Sequence, residues 1–104
     1  MASTDTNTKE EIVSKSEKDA AHPPMYKVIL HNDDYTTMEF VVDVLMKIFG
    51  KSLEKATEIM LNVHREGRGL CGTYTREIAE TKVDTVHKLA REHGYPLKST
   101  MEKE

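Results

Sequence analysis

Alternation marks the first readable element. In MYKVILH, residues 25–31, Tyr26, Val28 and Leu30 fall on one side of an extended backbone and Lys27, Ile29 and His31 on the other, which predicts a strand. Asn32-Asp33-Asp34 then reads as a turn. Thr36-Thr37-Met38-Glu39 has the S/T-x-x-E form of a capping box, so a helix is predicted with Thr36 as N-cap, Glu39 reaching back and Gly50 as its end. A second helix is predicted from Ser52 as N-cap, with Leu53, Ala56, Met60 and Val63 on one face. Gly67, Gly69 and Gly72 break that period around Leu70, the pattern of a short, twisted strand ending near Tyr74. Thr75 is placed to cap a third helix whose Ala79, Val83, Val86 and Ala90 form an apolar stripe, and Gly94 is placed to stop it. Tyr95 to Met101 is predicted as the last strand, with Pro96 restricting it to an edge or a strand start. The order β-α-α-β-α-β predicts an α+β fold, a single small two-layer domain with three helices packed on a three-stranded antiparallel sheet.

Ahead of these elements, residues 1–22 are rich in Ser, Thr, Lys and Glu, with Ile12 and Val13 as their bulky aliphatics. Such a stretch buries too little apolar surface to offset its ordering entropy, so a disordered tail is expected there. Pro23-Pro24 marks the boundary of a folded domain spanning residues 23–104.

A chain of 104 residues holds one core and little more. Its net charge of -3, with Lys and Arg scattered among Glu and Asp, argues against nucleic acid as a main partner. No apolar run approaches the roughly 20 residues of a membrane helix, so no membrane association is expected, and residues 1–22 lack a signal-peptide pattern. A single cysteine, Cys71, forms no internal disulfide, which fits a reducing cytoplasm.

Three features bear on chemistry. The first helix confines its polar residues Glu39, Asp43 and Lys47 to one narrow stripe and is apolar elsewhere, from Met38 to Phe49. Either it is wedged between the sheet and its neighbours, or part of it lines an apolar pocket with Met38 at the mouth. The Asn32-Asp33-Asp34 turn either caps its own backbone or projects acceptors toward a cation. His64, four residues after Met60, falls near the apolar face of the second helix, where a lone histidine is most often a partly buried core residue. No HxxxH or CxxC pairing joins His22, His31, His64, His87 and His93, so no metal or other cofactor is expected. A Cys71–His64 nucleophile pair lacks any local signature for an orienting partner or oxyanion site, so the chain does not read as an enzyme.

The runs YKVILHNDDYTTMEFVVDVL and ATEIMLNVHREGRGLCGTYTREIAETKV and the ending PLKSTMEKE resemble ClpS, the bacterial adaptor family of the N-end rule of degradation. The resemblance covers about residues 23–104. It implies a pocket for the first residue of N-degron proteins and peptides when that residue is Leu, Phe, Tyr or Trp. By position, Asn32, Asp33 and His64, with Thr36 nearby, would hold the substrate's α-amino group. Met38, Val41, Met60, Val63 and Leu97 would line the apolar cavity, Met38 acting as a gate against β-branched side chains. Glu77 and Lys82, with surface near His64, would touch the N-terminal domain of a ClpA-type AAA+ unfoldase, which works with ClpP, and the tail would engage the unfoldase during delivery. A monomer is expected.

Two positions depart from the family pattern. Thr37 replaces a proline, for which a looser helix start is expected, and His31 replaces an aliphatic residue, expected to be exposed on the Lys27 face. Two other readings remain open: a related Clp adaptor with altered cargo, and a non-catalytic interaction domain without a pocket, like the C-terminal domain of the ribosomal stalk protein.

Overall fold

The structure, a computed structural model, describes residues 23–104. The expected disordered tail, 1–22, lies outside the described residues. The elements follow the predicted order: β1 (Met25–His31), α1 (Met38–Lys47), α2 (Leu53–Glu66), β2 (Arg68–Thr75), α3 (Arg76–Glu92) and β3 (Lys98–Lys103).

β1 is the central strand of an antiparallel sheet of order β2-β1-β3. Its apolar run suits that place: Val28 and Leu30 are buried under the helices, and Ile29, on the opposite face, is buried between the neighbouring strands' Leu70 and Thr100. Val28 and Leu30 join the core with residues of all three helices, among them Val44, Leu45, Met60, Val63, Val86 and Ala90. A bulge lies between Val28, opposite Gly72, and Ile29, opposite Leu70. Cys71 is therefore the extra residue, and it turns into the core. The one buried polar side chain among the described residues, Ser99, is satisfied: its hydroxyl donates to the Ile29 carbonyl at 2.9 Å, and its N–H donates to His87 Nε2 at 3.0 Å.

Local chemistry sets the element ends, with several corrections. Thr37, not Thr36, is the N-cap of α1, its hydroxyl accepting from the Phe40 N–H at 3.1 Å. A cap one residue later leaves Thr37 outside the helix, where no proline ring is needed to preset it. The C-terminal end of α1 is held by Lys82, which donates to the Ile48 carbonyl at 2.7 Å, and Gly50 follows with φ of 66°. Ser52 caps α2 as expected, accepting from the Lys55 N–H at 3.1 Å. Leu53, expected on the buried face of α2, is 60% exposed, and Ile59 takes a core place instead. Thr75 occupies the N-cap position of α3 without a side-chain cap bond. Gly94, with φ of 77°, follows α3 as predicted. The last strand runs Lys98–Lys103, not 95–101, because Tyr95 is drawn off to pack on Phe40 at a ring separation of 4.8 Å.

The sheet face away from the helices carries Lys27, Ile29, His31, Arg68, Leu70, Lys98, Thr100 and Glu102. His31 is half-buried there rather than exposed, its Nε2 lying 2.7 Å from Thr100 Oγ1. Burial, then the Arg68 and Lys98 charges, hold its pKa below the ordinary 6.5, with Glu102 opposing. The folded state thus favours neutral His31, so its contribution is complete above pH 6.5 and is lost as pH falls through the lower folded value. His31→Val is expected to narrow the gap between thermal midpoints measured at pH 7 and pH 5. An unchanged gap would place the acid sensitivity elsewhere.

Candidate functional site

The turn after β1 is pinned to the end of α2. The Asn32 N–H donates to the Gly67 carbonyl at 2.9 Å, and the Gly67 N–H donates to the Val63 carbonyl at 2.9 Å. Gly67 adopts φ of 88°, a left-handed position that a Cβ would strain, and so lets α2 stop beside the turn. Asp33 organises the rest of the turn. Its Oδ1 accepts the N–H groups of Tyr35 at 2.8 Å and Thr36 at 2.7 Å, and its Oδ2 accepts the Thr36 hydroxyl at 2.7 Å. The carboxylate therefore does cap its own backbone and draws the Thr36 hydroxyl into the turn, while Thr37 caps α1. Burial acts to raise the Asp33 pKa, but these bonds from Thr36 and Tyr35 outweigh it and hold it below the ordinary carboxylate value. The group stays charged, and with about four lone-pair sites on a carboxylate it keeps acceptor capacity to spare.

Around this turn lies a concavity of about 240 Å³ lined by Asn32, Asp33, Asp34, Thr36, Met38, Val41, Met60, Val63 and His64. Its wall is apolar and comes from two helices: Val41 of α1, and Met60 and Val63 of α2, each at most 8% exposed. Met38 stands at the edge, 46% exposed. The rim is polar, and its carboxylates, Asp33 and Asp34, are both acidic. His64 is an exposed rim residue, not the partly buried core histidine that its helical position predicted. It lies in the last turn of α2. The volume suits one large side chain better than a cofactor, whose sites run to about 300–1,000 Å³.

Eight of the nine residues expected at the first-residue pocket thus share one cavity wall. The ninth, Leu97, is 4% exposed within the core and does not line the concavity. Asp34 does line it, and sequence reasoning missed its separate part, although its place in the Asn32-Asp33-Asp34 run was the available signal.

Glu77 and Lys82 lie apart from these residues, in a groove of about 460 Å³ with Lys47, Ile48, Ile78, Thr81 and Thr85. Lys82 is held in place by the Ile48 carbonyl, its ammonium 5.9 Å from the Phe49 ring centroid and 5.5 Å from that of Tyr74. Ile78 is 49% exposed, so the groove offers apolar surface bordered by both charge signs.

Cys71 is 1% exposed, and burial pushes its thiol up to about 12, which leaves almost no thiolate near neutrality. Among the described residues, no group of three or more His, Cys, Asp and Glu is gathered to hold a metal ion, and no helix is long and apolar enough to cross a membrane.

The family model described as ATP-dependent Clp protease adaptor protein ClpS matches residues 21–100. The chain is 65% identical over 104 residues, covering 100% of both chains, to a Desulforapulum autotrophicum protein named ATP-dependent Clp protease adapter protein ClpS. It is 66% identical over 80 residues to a protein of the same name from Lawsonia intracellularis, covering 77% of this chain and 73% of that one. The solved structure of Agrobacterium tumefaciens ClpS2 bound to L-phenylalaninamide superposes with a TM-score of 0.77 at 43% identity, covering 79% of this chain and 99% of the other. The family is one of named adaptors, not of catalysts. With a single family model covering most of its length and near relatives sharing about two thirds of its residues, the chain belongs to the ClpS family, the adaptors of the ATP-dependent Clp protease.

Proposed function

We propose that the 240 Å³ concavity receives the first residue of a cargo protein when that residue is Leu, Phe, Tyr or Trp. The α-ammonium sits at the rim against Asn32, Asp33, Thr36 and His64, and the side chain enters among Met38, Val41, Met60 and Val63, with Leu97 in the core behind them. The observation that carries this reading is the union of an acidic, acceptor-rich rim and an apolar wall in one small cavity. Only at the start of a chain does an ammonium group stand beside a side chain on the same carbon. L-phenylalaninamide, the ligand of the Agrobacterium tumefaciens relative, has the chemical outline of such a residue.

The energetics require both halves. Burying a Leu or Phe side chain contributes about 1.5–3 kcal/mol, which amounts to weak binding by itself. Each charge-assisted bond to the ammonium adds about 1.5–3 kcal/mol. An acetylated terminus has one N–H and no charge, so it leaves rim acceptors unpaired.

The cargo so held is handed to the N-terminal domain of a ClpA-type unfoldase docked at the Glu77 and Lys82 groove, for degradation by ClpP. We place the adaptor in the cytoplasm as a monomer, where its single thiol remains reduced. Fluorescence anisotropy with labelled peptides tests the pocket. Peptides beginning with Leu and Phe are expected to bind, while those beginning with Ile or acetyl-Leu bind at least about 30-fold more weakly, two partner bonds being lost in the acetylated case. Equal binding of all four, or of none, would remove the first-residue reading.

A further inference from the structure

Beside the pocket lies a second concavity of about 300 Å³, lined by Met38, Glu39, Val42, Leu53, Thr57 and Met60. Met38 and Met60 belong to both, so the two are continuous along the seam between α1 and α2. Leu53 is 60% exposed at the start of α2, where a polar residue would serve the fold equally well. Met60, Thr57 and Leu53 are spaced three and four residues apart, so they form one ridge leading from the pocket toward the N-terminus of α2.

An extended peptide places alternate side chains on the same side. Its first and third residues are two steps of about 3.3 Å apart, a little more than the helical turn of about 5.4 Å that leads from Met60 to Thr57 in the middle of the groove, with Leu53 one turn further on. A chain whose first side chain fills the pocket and whose backbone passes over Met38 therefore sets its third side chain over the groove. We propose that this groove is a second cargo subsite, receiving an apolar third residue of the chain whose first residue is held in the pocket. The proposal rests on the first-residue reading and adds a sequence preference that reading does not contain. It also explains the exposure of Leu53: the residue is kept apolar for a contact made only in the complex.

The test compares labelled peptides beginning Leu-Ser-Leu and Leu-Ser-Ser, bound to the full chain and to its Leu53→Ser variant. Leu53 lines the groove and not the pocket, and its exposure lets the variant fold, which an unchanged thermal midpoint verifies. The intact protein is expected to prefer Leu-Ser-Leu by about five- to tenfold, from partial burial of one leucine. In Leu53→Ser this preference is expected to fall below about twofold, with Leu-Ser-Ser binding unchanged. Equal binding of both peptides to the intact protein would overturn the subsite and leave the pocket standing, whereas failure of both to bind would overturn the first-residue reading beneath it. A preference that persists in the variant also overturns the assignment. Loss of unfoldase binding or of self-association in Leu53→Ser, with no third-residue preference, would give the groove to the partner or to a second copy of the chain.

Discussion

Asp33→Ala is expected to weaken binding of a Leu-first peptide by about 2–4 kcal/mol, roughly 30- to 1,000-fold, the largest effect of any single change at the rim. The substitution removes two things at once. It takes away a charged acceptor proposed to face the ammonium, and it releases the Tyr35 N–H, the Thr36 N–H and the Thr36 hydroxyl from the bonds that shape the turn. Asp33→Asn separates them, because its amide oxygen still accepts both N–H groups while the charge is gone. Titration calorimetry is expected to place the Asn variant between the native chain and Ala. Native affinity in Asp33→Ala would show that the carboxylate only folds the turn and that the ammonium is held elsewhere. Since Asp33 is held below its ordinary 3.8, its contribution is present above that value and is lost only as pH falls through the lower folded pKa. Binding is therefore expected to persist with little change to about pH 4 on the carboxylate side.

Gly69→Ala is expected to cost about 1–3 kcal/mol of stability and to alter the pocket from outside it. Gly69 of β2 faces α2 so closely that an added Cβ would stand 2.7 Å from Val63 Cγ2 and 3.3 Å from the Ile59 carbonyl oxygen. Neither neighbour yields easily: one belongs to a β-branched side chain with a stiff χ1, the other to helix backbone. Relief comes from parting β2 from α2 or from driving Val63 into the concavity it lines. Denaturant unfolding is expected to show the lost stability, and Phe-first peptides are expected to lose more affinity than Leu-first ones. An unchanged unfolding midpoint with unchanged peptide ranking would mean that β2 moves aside without strain.

The parts of the fold legible in the sequence were those decided by near neighbours. The alternation of Met25–His31, the Ser52 cap and the Gly94 stop depend on a few consecutive residues, and all three are found where the pattern puts them. Thr36 and Thr37 show where local reading fails. Either offers a capping oxygen, and Thr37 takes the role while the Thr36 hydroxyl and N–H both donate to Asp33, an arrangement that no spacing rule expresses. The late start of β3 likewise reflects a distant partner, Phe40, which holds Tyr95 out of the strand. The residues alone marked Met38 and the Asn32-Asp33-Asp34 turn as candidates, but joining eight residues into one cavity took the resemblance to a family, since the turn and the two helices they occupy meet through the core rather than along the chain. Leu53 was misplaced for a different reason. Helical period assigns a leucine to a face, but not to what covers that face.

The proposed first-residue pocket and the proposed docking groove at Glu77 and Lys82 share no lining residue and stand at opposite ends of α1, the pocket at Met38 and the groove at Lys47 and Ile48. Ten residues at about 1.5 Å each put some 15 Å between them, nearly twice the distance over which salt screens a charge in the cell. On the proposed assignments, cargo in the pocket and an unfoldase at the groove would touch different surfaces, and salt would screen most of the interaction between their charges. If both assignments hold, saturating the adaptor with a Leu-first peptide is expected to leave its affinity for the unfoldase's N-terminal domain unchanged.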